Sequence, residues 1–245
     1  MRELPVQDIW GIGRKSAELL GKHGITNALE LKNAPDDWIR KTLSITGLYI
    51  VKELRGIKCF ELEDEPASKK GITSSRSFGK AVTDLKDLEE AVATYVSRAA
   101  EKLRDEKLAA RYLRVYIRTN HFNLDKKYIA GKGVYLPVAT AYTPTLIHYA
   151  LELLKTIYKE GYRYYKAGIT FMDLVPEGSA QQNLFVQFDH HKETRLMQSV
   201  DKLNARFGVG AITYAAMGIE QGWKMKREFG SPHYTTSFTD LPIVR

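Results

Sequence analysis

The run from Tyr112 to Arg118 constrains the fold more than any other part of the chain. Its apolar residues, Leu113, Val115 and Ile117, alternate without a break with Tyr112, Arg114, Tyr116 and Arg118. Successive side chains of a strand point to opposite faces, so this reads as a strand buried on one side, with a basic and aromatic second side. Residues 164–171 repeat the pattern, with Tyr165, Ala167, Ile169 and Phe171 expected on one face and Tyr164, Lys166, Gly168 and Thr170 on the other. Strands near 72–78 and 133–140 complete a set of four.

Two amphipathic helices interrupt these strands. The first, over about 84–106, carries Leu85, Leu88, Val92, Tyr95, Val96, Ala99 and Leu103 on one stripe behind Thr83 and Asp84. The second is expected to start with Thr143 as N-cap and Pro144 at the first helical position, to carry Ile147, Ala150, Leu151 and Leu154, and to stop at Gly161. The resulting order, βαββαβ, is a split βαβ arrangement that puts both helices on one sheet face and leaves the other open. The open face is expected to bear Arg114, Tyr116, Arg118 and Lys166.

Charge supports that reading. The chain has 37 basic and 29 acidic residues, a net +8, which favours a polyanionic partner such as nucleic acid or an anionic membrane surface. Residues 1–71 hold 12 basic and 11 acidic groups, residues 72–175 hold 17 and 11, and residues 176–245 hold 8 and 7, so the excess sits in the middle segment. No apolar run approaches the roughly 18 residues of a membrane span, and the N-terminus lacks the layout of a signal peptide. The single cysteine, Cys59, excludes an internal disulfide and cysteine-rich zinc patterns. These features together lead to the expectation of a soluble, cytoplasmic protein.

Residues 1–62 read as short helices broken by Gly and Pro, an all-α domain, followed by a polar, proline-broken linker over 63–71. Within this domain Trp10-Gly11-Ile12-Gly13 precedes Arg14, Lys15, Ser16 and Ala17. A Gly-x-Gly hairpin that opens a helix leaves backbone N–H groups at the helix N-terminus free for one phosphate, and Arg14 and Lys15 add charge. This helix-hairpin-helix pattern contacts phosphate and so carries no base information. DNA glycosylases also use it, but they need a catalytic Asp in an apolar context, whereas Asp36 and Asp37 follow Pro35 in a polar turn. Segment 176–189 contains Gln181-Gln182-Asn183-Leu184-Phe185, an apolar pair in a polar, turn-rich stretch that suits a partner's apolar pocket, with Gln181 orienting it. This is the pattern of bacterial sliding-clamp binding. His190 and His191 lack a third ligand cluster and read as surface, and no carboxylate pair suits metal-assisted phosphoryl transfer.

Several separated blocks resemble UmuC-type translesion DNA polymerases of the Y family: Leu4-Pro5-Val6, Trp10 to Arg14, Glu53 to Gly56, Ser75 to Gly79 and Arg98 to Arg104. The resemblance continues through Tyr164 to Gly168, Gln181 to Phe185, Trp223 to Arg227 and Ser231 to Thr236. It implies that 1–62 is the end of the palm-proximal region plus the thumb, that 72–175 is the little finger, and that both hold primer-template DNA. Gly11, Gly13, Arg14, Lys15, Ser16, Arg76, Arg114, Tyr116, Arg118 and Lys166 are the expected DNA contacts, and Gln181, Leu184 and Phe185 the clamp contacts. The tail over 190–245 is expected to meet UmuD′ or RecA. Because family members carry their metal-binding carboxylates upstream of the thumb, the chain is expected to be non-catalytic and without a cofactor of its own, the complete polymerase using Mg. A truncated form that competes with the intact polymerase shares this chemistry and stays open as an alternative.

Overall fold

The computed structural model describes residues 1–61, 68–122, 126–178, 190–225, 230–232 and 234–241. The chain forms two compact units, Met1–Ala67 and Ser68–Arg245. Unit 1 contains a short 3-10 turn at Val6–Asp8 and helices α1 (Arg14–Lys22), α2 (Ala28–Asn33) and α3 (Asp36–Leu54) around Val6, Ile9, Ile12, Leu20, Leu31, Ile39 and Val51. α2 is only six residues long, too short to nucleate alone, and is held by its cap. Asn27 Oδ1 accepts from the N–H groups of Leu29 and Glu30 at 3.1 and 3.0 Å, while Glu30 Oε2 accepts from Asn27 N–H at 3.3 Å. Arg55, just past α3, donates to the carbonyls of Lys32 and Ala34 at 2.8 and 2.7 Å and to Asp36 Oδ1, which ties α3 to the unsatisfied end of α2.

Unit 2 has the expected α+β order: β1 (Gly71–Val82), α4 (Leu85–Asp105), β2 (Leu108–Thr119), β3 (Ile129–Thr140), α5 (Thr143–Ile157) and β4 (Tyr164–Pro176). The sheet order is β1-β4-β2-β3, with every neighbouring pair antiparallel. Leu88, Val92, Val96 and Leu103 of α4 and Leu146, Ala150 and Leu154 of α5 bury Leu113, Val115, Ile117, Ala167, Ile169 and Phe171 on one sheet face. The alternation of 112–118 holds residue for residue.

Two local expectations need correction. Register slips by one residue between Arg118 and Thr119, so that Thr119 pairs with Tyr164 and Tyr165 is the extra residue. Tyr164 is therefore buried, its hydroxyl donating to the Lys159 carbonyl and accepting from the Lys159 N–H at 2.9 Å each, and Tyr165 is the exposed one. The cap of α5 is Tyr142, not Thr143, and the helix ends at Ile157, before Gly161. Thr143 is buried, with its hydroxyl facing a guanidinium.

The tail folds back on unit 2. Helix α6 (His190–Phe207) places Asp201 against Arg104 of α4, and Trp223 inserts between Phe78 of β1 and Tyr95 of α4, with ring centroids 6.2 and 5.8 Å apart at steep angles. The Gly79 N–H donates to the Trp223 carbonyl at 3.1 Å, and a Cβ at Gly79 would stand 2.5 Å from the Lys224 carbonyl oxygen, so the tail backbone needs a glycine there. Trp223 is 4% exposed. Trp223→Ala is expected to lower the stability of unit 2 by about 3–5 kcal/mol, as for other large-to-small changes in a packed core, measured by urea unfolding followed by circular dichroism.

Candidate nucleic-acid interface

The hairpin in unit 1 is shaped by two buried isoleucines. Ile9 and Ile12 point into the core, and the Ile12 N–H donates to the Ile9 carbonyl at 3.0 Å, closing a tight turn. Gly11 lies in this turn at φ +91°, a conformation that side-chain-bearing residues adopt only under strain, and a Cβ there would sit 2.7 Å from Ile50 Cδ1. Trp10, between the pinned residues, is thrown outward and is 95% exposed. Gly13 is the N-cap of α1 and offers no side-chain acceptor, and the first backbone bond of the helix runs from Ala17 N–H to the Gly13 carbonyl. The N–H groups of Arg14, Lys15 and Ser16 thus form an uncapped, positively polarised end. Arg14 also pairs with Glu18 at 3.0 Å on the exposed helix surface, which offsets part of its charge.

In unit 2 the open face is defined by register. β2 contributes Tyr112, Arg114, Tyr116 and Arg118; β4 contributes Met172, Thr170, Gly168 and Lys166 in register with them. The outer strands add Gly71, Thr73, Ser75 and Ser77 from β1, and Tyr135, Gly133, Gly131 and Ile129 from β3. None of these residues is a carboxylate. Arg118 and Lys166 are direct cross-strand partners, a like-charge juxtaposition that destabilises a sheet unless an anion lies between them. No ion pair among the described residues involves Arg114, Arg118 or Lys166.

Arg76 does not share this face. It pairs with Ala167 and alternates with Ile72 and Phe78, on the helix-bearing side of the edge strand. Burial pushes the Tyr95 hydroxyl up to about 12, and the charge of Arg76 pulls against that shift. Asp36, considered as a catalytic base, is an ion-pair partner of Arg55. Gln181, Leu184 and Phe185 lie outside the described residues. Among the described residues, no group of three or more His, Cys, Asp or Glu is placed to hold a metal ion, and no helix is long and apolar enough to cross a membrane.

Comparison with known proteins assigns a family to the segments that carry both surfaces. Residues 1–25 match the IMS family HHH motif, residues 69–184 the impB/mucB/samB family C-terminal domain, and residues 194–244 a domain of unknown function, DUF4113. The chain belongs to the impB/mucB/samB family and corresponds to a C-terminal part of its UmuC-type, Y-family polymerases. Protein UmuC of Salmonella typhimurium is 39% identical over 248 residues, covering 99% of this chain and 58% of the relative. Protein ImpB of the same organism is 38% identical over 243 residues, covering 98% and 57%, and DNA polymerase IV of Treponema denticola is 22% identical over 221 residues, covering 89% and 54%. The chain therefore spans a little over half the length of these relatives.

The two glycines of the hairpin differ in what they tolerate. Gly11→Ala is expected to destabilise unit 1 by about 1–3 kcal/mol, because both its φ and its neighbour Ile50 oppose a side chain. Gly13 has an ordinary φ and open space around it, so Gly13→Ala should cost less than about 1 kcal/mol in the same urea titration.

Proposed function

We propose that this chain is the DNA-holding portion of an error-prone translesion polymerase acting in DNA repair and the SOS response, with nucleotidyl transfer carried out elsewhere in the complete enzyme. The in-register Arg118–Lys166 pair carries this reading: two opposed cations without a protein counterion among the described residues are what a phosphate backbone neutralises. The hairpin of unit 1 adds a second phosphate site through the N–H groups of Arg14, Lys15 and Ser16. Both sites read charge and not sequence, as suits an enzyme that must hold any primer-template.

In the same reading Gln181, Leu184 and Phe185 dock on the sliding clamp and keep the enzyme at the primer end. The tail meets UmuD′ or RecA through the side of α6 that unit 2 leaves uncovered, where Leu196, Leu203 and Phe207 are exposed.

Fluorescence anisotropy with a labelled primer-template at several salt concentrations tests the central claim. Arg118→Ala with Lys166→Ala is expected to weaken binding to all sequences alike and to flatten the slope of log K against log salt by about 1 for each phosphate that is no longer neutralised. An unchanged slope would place the phosphates elsewhere. Leu184→Ala with Phe185→Ala should abolish retention on immobilised clamp and leave DNA affinity as it was; loss of both activities would instead mean misfolding.

A further inference from the structure

We infer that α6 carries a docking seam for one acidic, amphipathic helix of a partner protein. That helix lays its apolar stripe along Leu196, Val200, Leu203 and Phe207 and its carboxylates against Arg195, Lys202 and Arg206. This deepens the reading of the tail as the partner-binding part and rests on it.

Spacing places the seam. Leu196, Val200, Leu203 and Phe207 follow one another at steps of four, three and four residues, so at about 100° per residue they fall within a band roughly 60° wide. Met197 and Asp201 point roughly 90–130° away from that band and hold the helix to unit 2. Met197 is buried and its sulfur accepts from the Tyr214 hydroxyl at 3.3 Å, while Asp201 pairs with Arg104. That contact leaves the seam uncovered: Leu196 is 47% exposed and Phe207 65%. Its far end is fixed by Asn204, whose Oδ1 accepts from the Ile212 N–H at 2.8 Å and whose Nδ2 donates to the Ile212 carbonyl at 3.3 Å. The chain beyond α6 is thereby folded back to the last turns of the helix, bringing the exposed Val209 and Ile212 to that end.

Attachment to unit 2 accounts for Met197 and Asp201 but not for four apolar residues aligned beside them. A narrow stripe with this repeat is the seam that packs against a single helix, whereas a core-facing helix presents a wider face. The charge beside the seam identifies the partner. On the flank away from unit 2 stand Arg195, Lys202 and Arg206, all exposed, and that flank holds no carboxylate. Arg195 donates to the His191 carbonyl and Arg206 lies over the Phe207 ring, and none of the three joins an ion pair among the described residues. Residues that flank a helix–helix seam choose the partner by charge, so a helix edged with Glu or Asp is attracted and one edged with Lys or Arg is repelled. A second α6 fits poorly: antiparallel pairing about a two-fold axis sets basic flank on basic flank, and parallel pairing sets it on the flank that unit 2 occupies. An anionic membrane would meet the cations, but an interfacial helix sinks a broad apolar face among the headgroups, and a band this narrow beside unit 2 provides none.

The test uses the full chain and two labelled helical peptides of about four heptads, both with Leu at a and d, one with Glu and the other with Lys at e and g. Each peptide repels its own copies, so anisotropy reads binding to the chain. The Glu peptide is expected to bind roughly tenfold more tightly than the Lys peptide, with a gap that narrows as salt is raised. Leu196→Ser with Leu203→Ser should weaken Glu-peptide binding roughly tenfold. Arg195→Glu with Lys202→Glu and Arg206→Glu should reverse the preference, a gain of Lys-peptide binding that misfolding cannot imitate. Equal binding of the two peptides, or no binding of the Glu peptide, overturns the inference. Retention on anionic phospholipid vesicles, or a dimer in sedimentation that Leu203→Ser abolishes, overturns it in favour of a membrane or a second copy. UmuD′ or RecA binding that survives both sets of substitutions overturns the α6 seam and leaves the tail reading intact, whereas a parent chain that binds neither protein overturns the tail reading itself.

Discussion

Arg104 joins three elements that are far apart in sequence, and the arrangement of unit 2 depends on it. It projects from the last turn of α4, donates to the Ala141 carbonyl and the Thr143 hydroxyl at the entry to α5, and grips both carboxylate oxygens of Asp201 on α6 at 2.6 and 2.7 Å. Its side chain is only 11% exposed, so the guanidinium has lost most of its water and depends on these partners. A buried pair of this kind adds little net stability over a well-packed apolar pair, yet removing one partner leaves a desolvated charge. Its value lies in geometry: the planar fork accepts one placement of α5 and α6 relative to α4. The buried Thr143 is one consequence, since its hydroxyl serves this cluster instead of capping its own helix.

The faces of the sheet are assigned by the apolar alternation of β2 and β4. The helix-bearing side meets the tail at Trp223, Phe78 and Tyr95, leaving the opposite side to its alternating basic and aromatic residues. Arg76 lies apart from that open face. It carries the charge of that segment, and its place in the alternation puts it on the side of the edge strand that holds Phe78, where it is itself exposed.

The parts of the fold that can be read from the chain are those with an unbroken period. Tyr112 to Arg118 repeats every two residues over a full strand, and the stripe of α4 repeats at helical spacing over five turns, so one face of each must be buried. Tyr164 and Tyr165 occupy the faces opposite to those their alternation predicts, because a one-residue bulge inverts the pattern and two adjacent tyrosines give no local sign of which is extra. The hairpin is legible for a different reason: Gly-x-Gly has few uses other than a sharp turn. Nothing comparable marks the tail. α6 buries Met197 but few other side chains, and Trp223 docks as a lone aromatic in a polar stretch, where a single residue generates no period. Arg104 and Arg55 stand out only through family resemblance, because a structural guanidinium and a DNA-binding one look alike until their acceptors are seen.

The acceptors also separate the two roles physically. Arg55 and Arg104 are saturated by carbonyls and a carboxylate of their own unit, and a bound phosphate would have to displace those partners to reach them. Arg118 and Lys166 face each other without such partners among the described residues, and the mutual repulsion of two such cations falls when an anion arrives. Holding the pair in register on rigid strands keeps that repulsion from relaxing by backbone movement. The sheet thus holds two like charges side by side at its surface, a modest repulsion that dissolved salt screens in part.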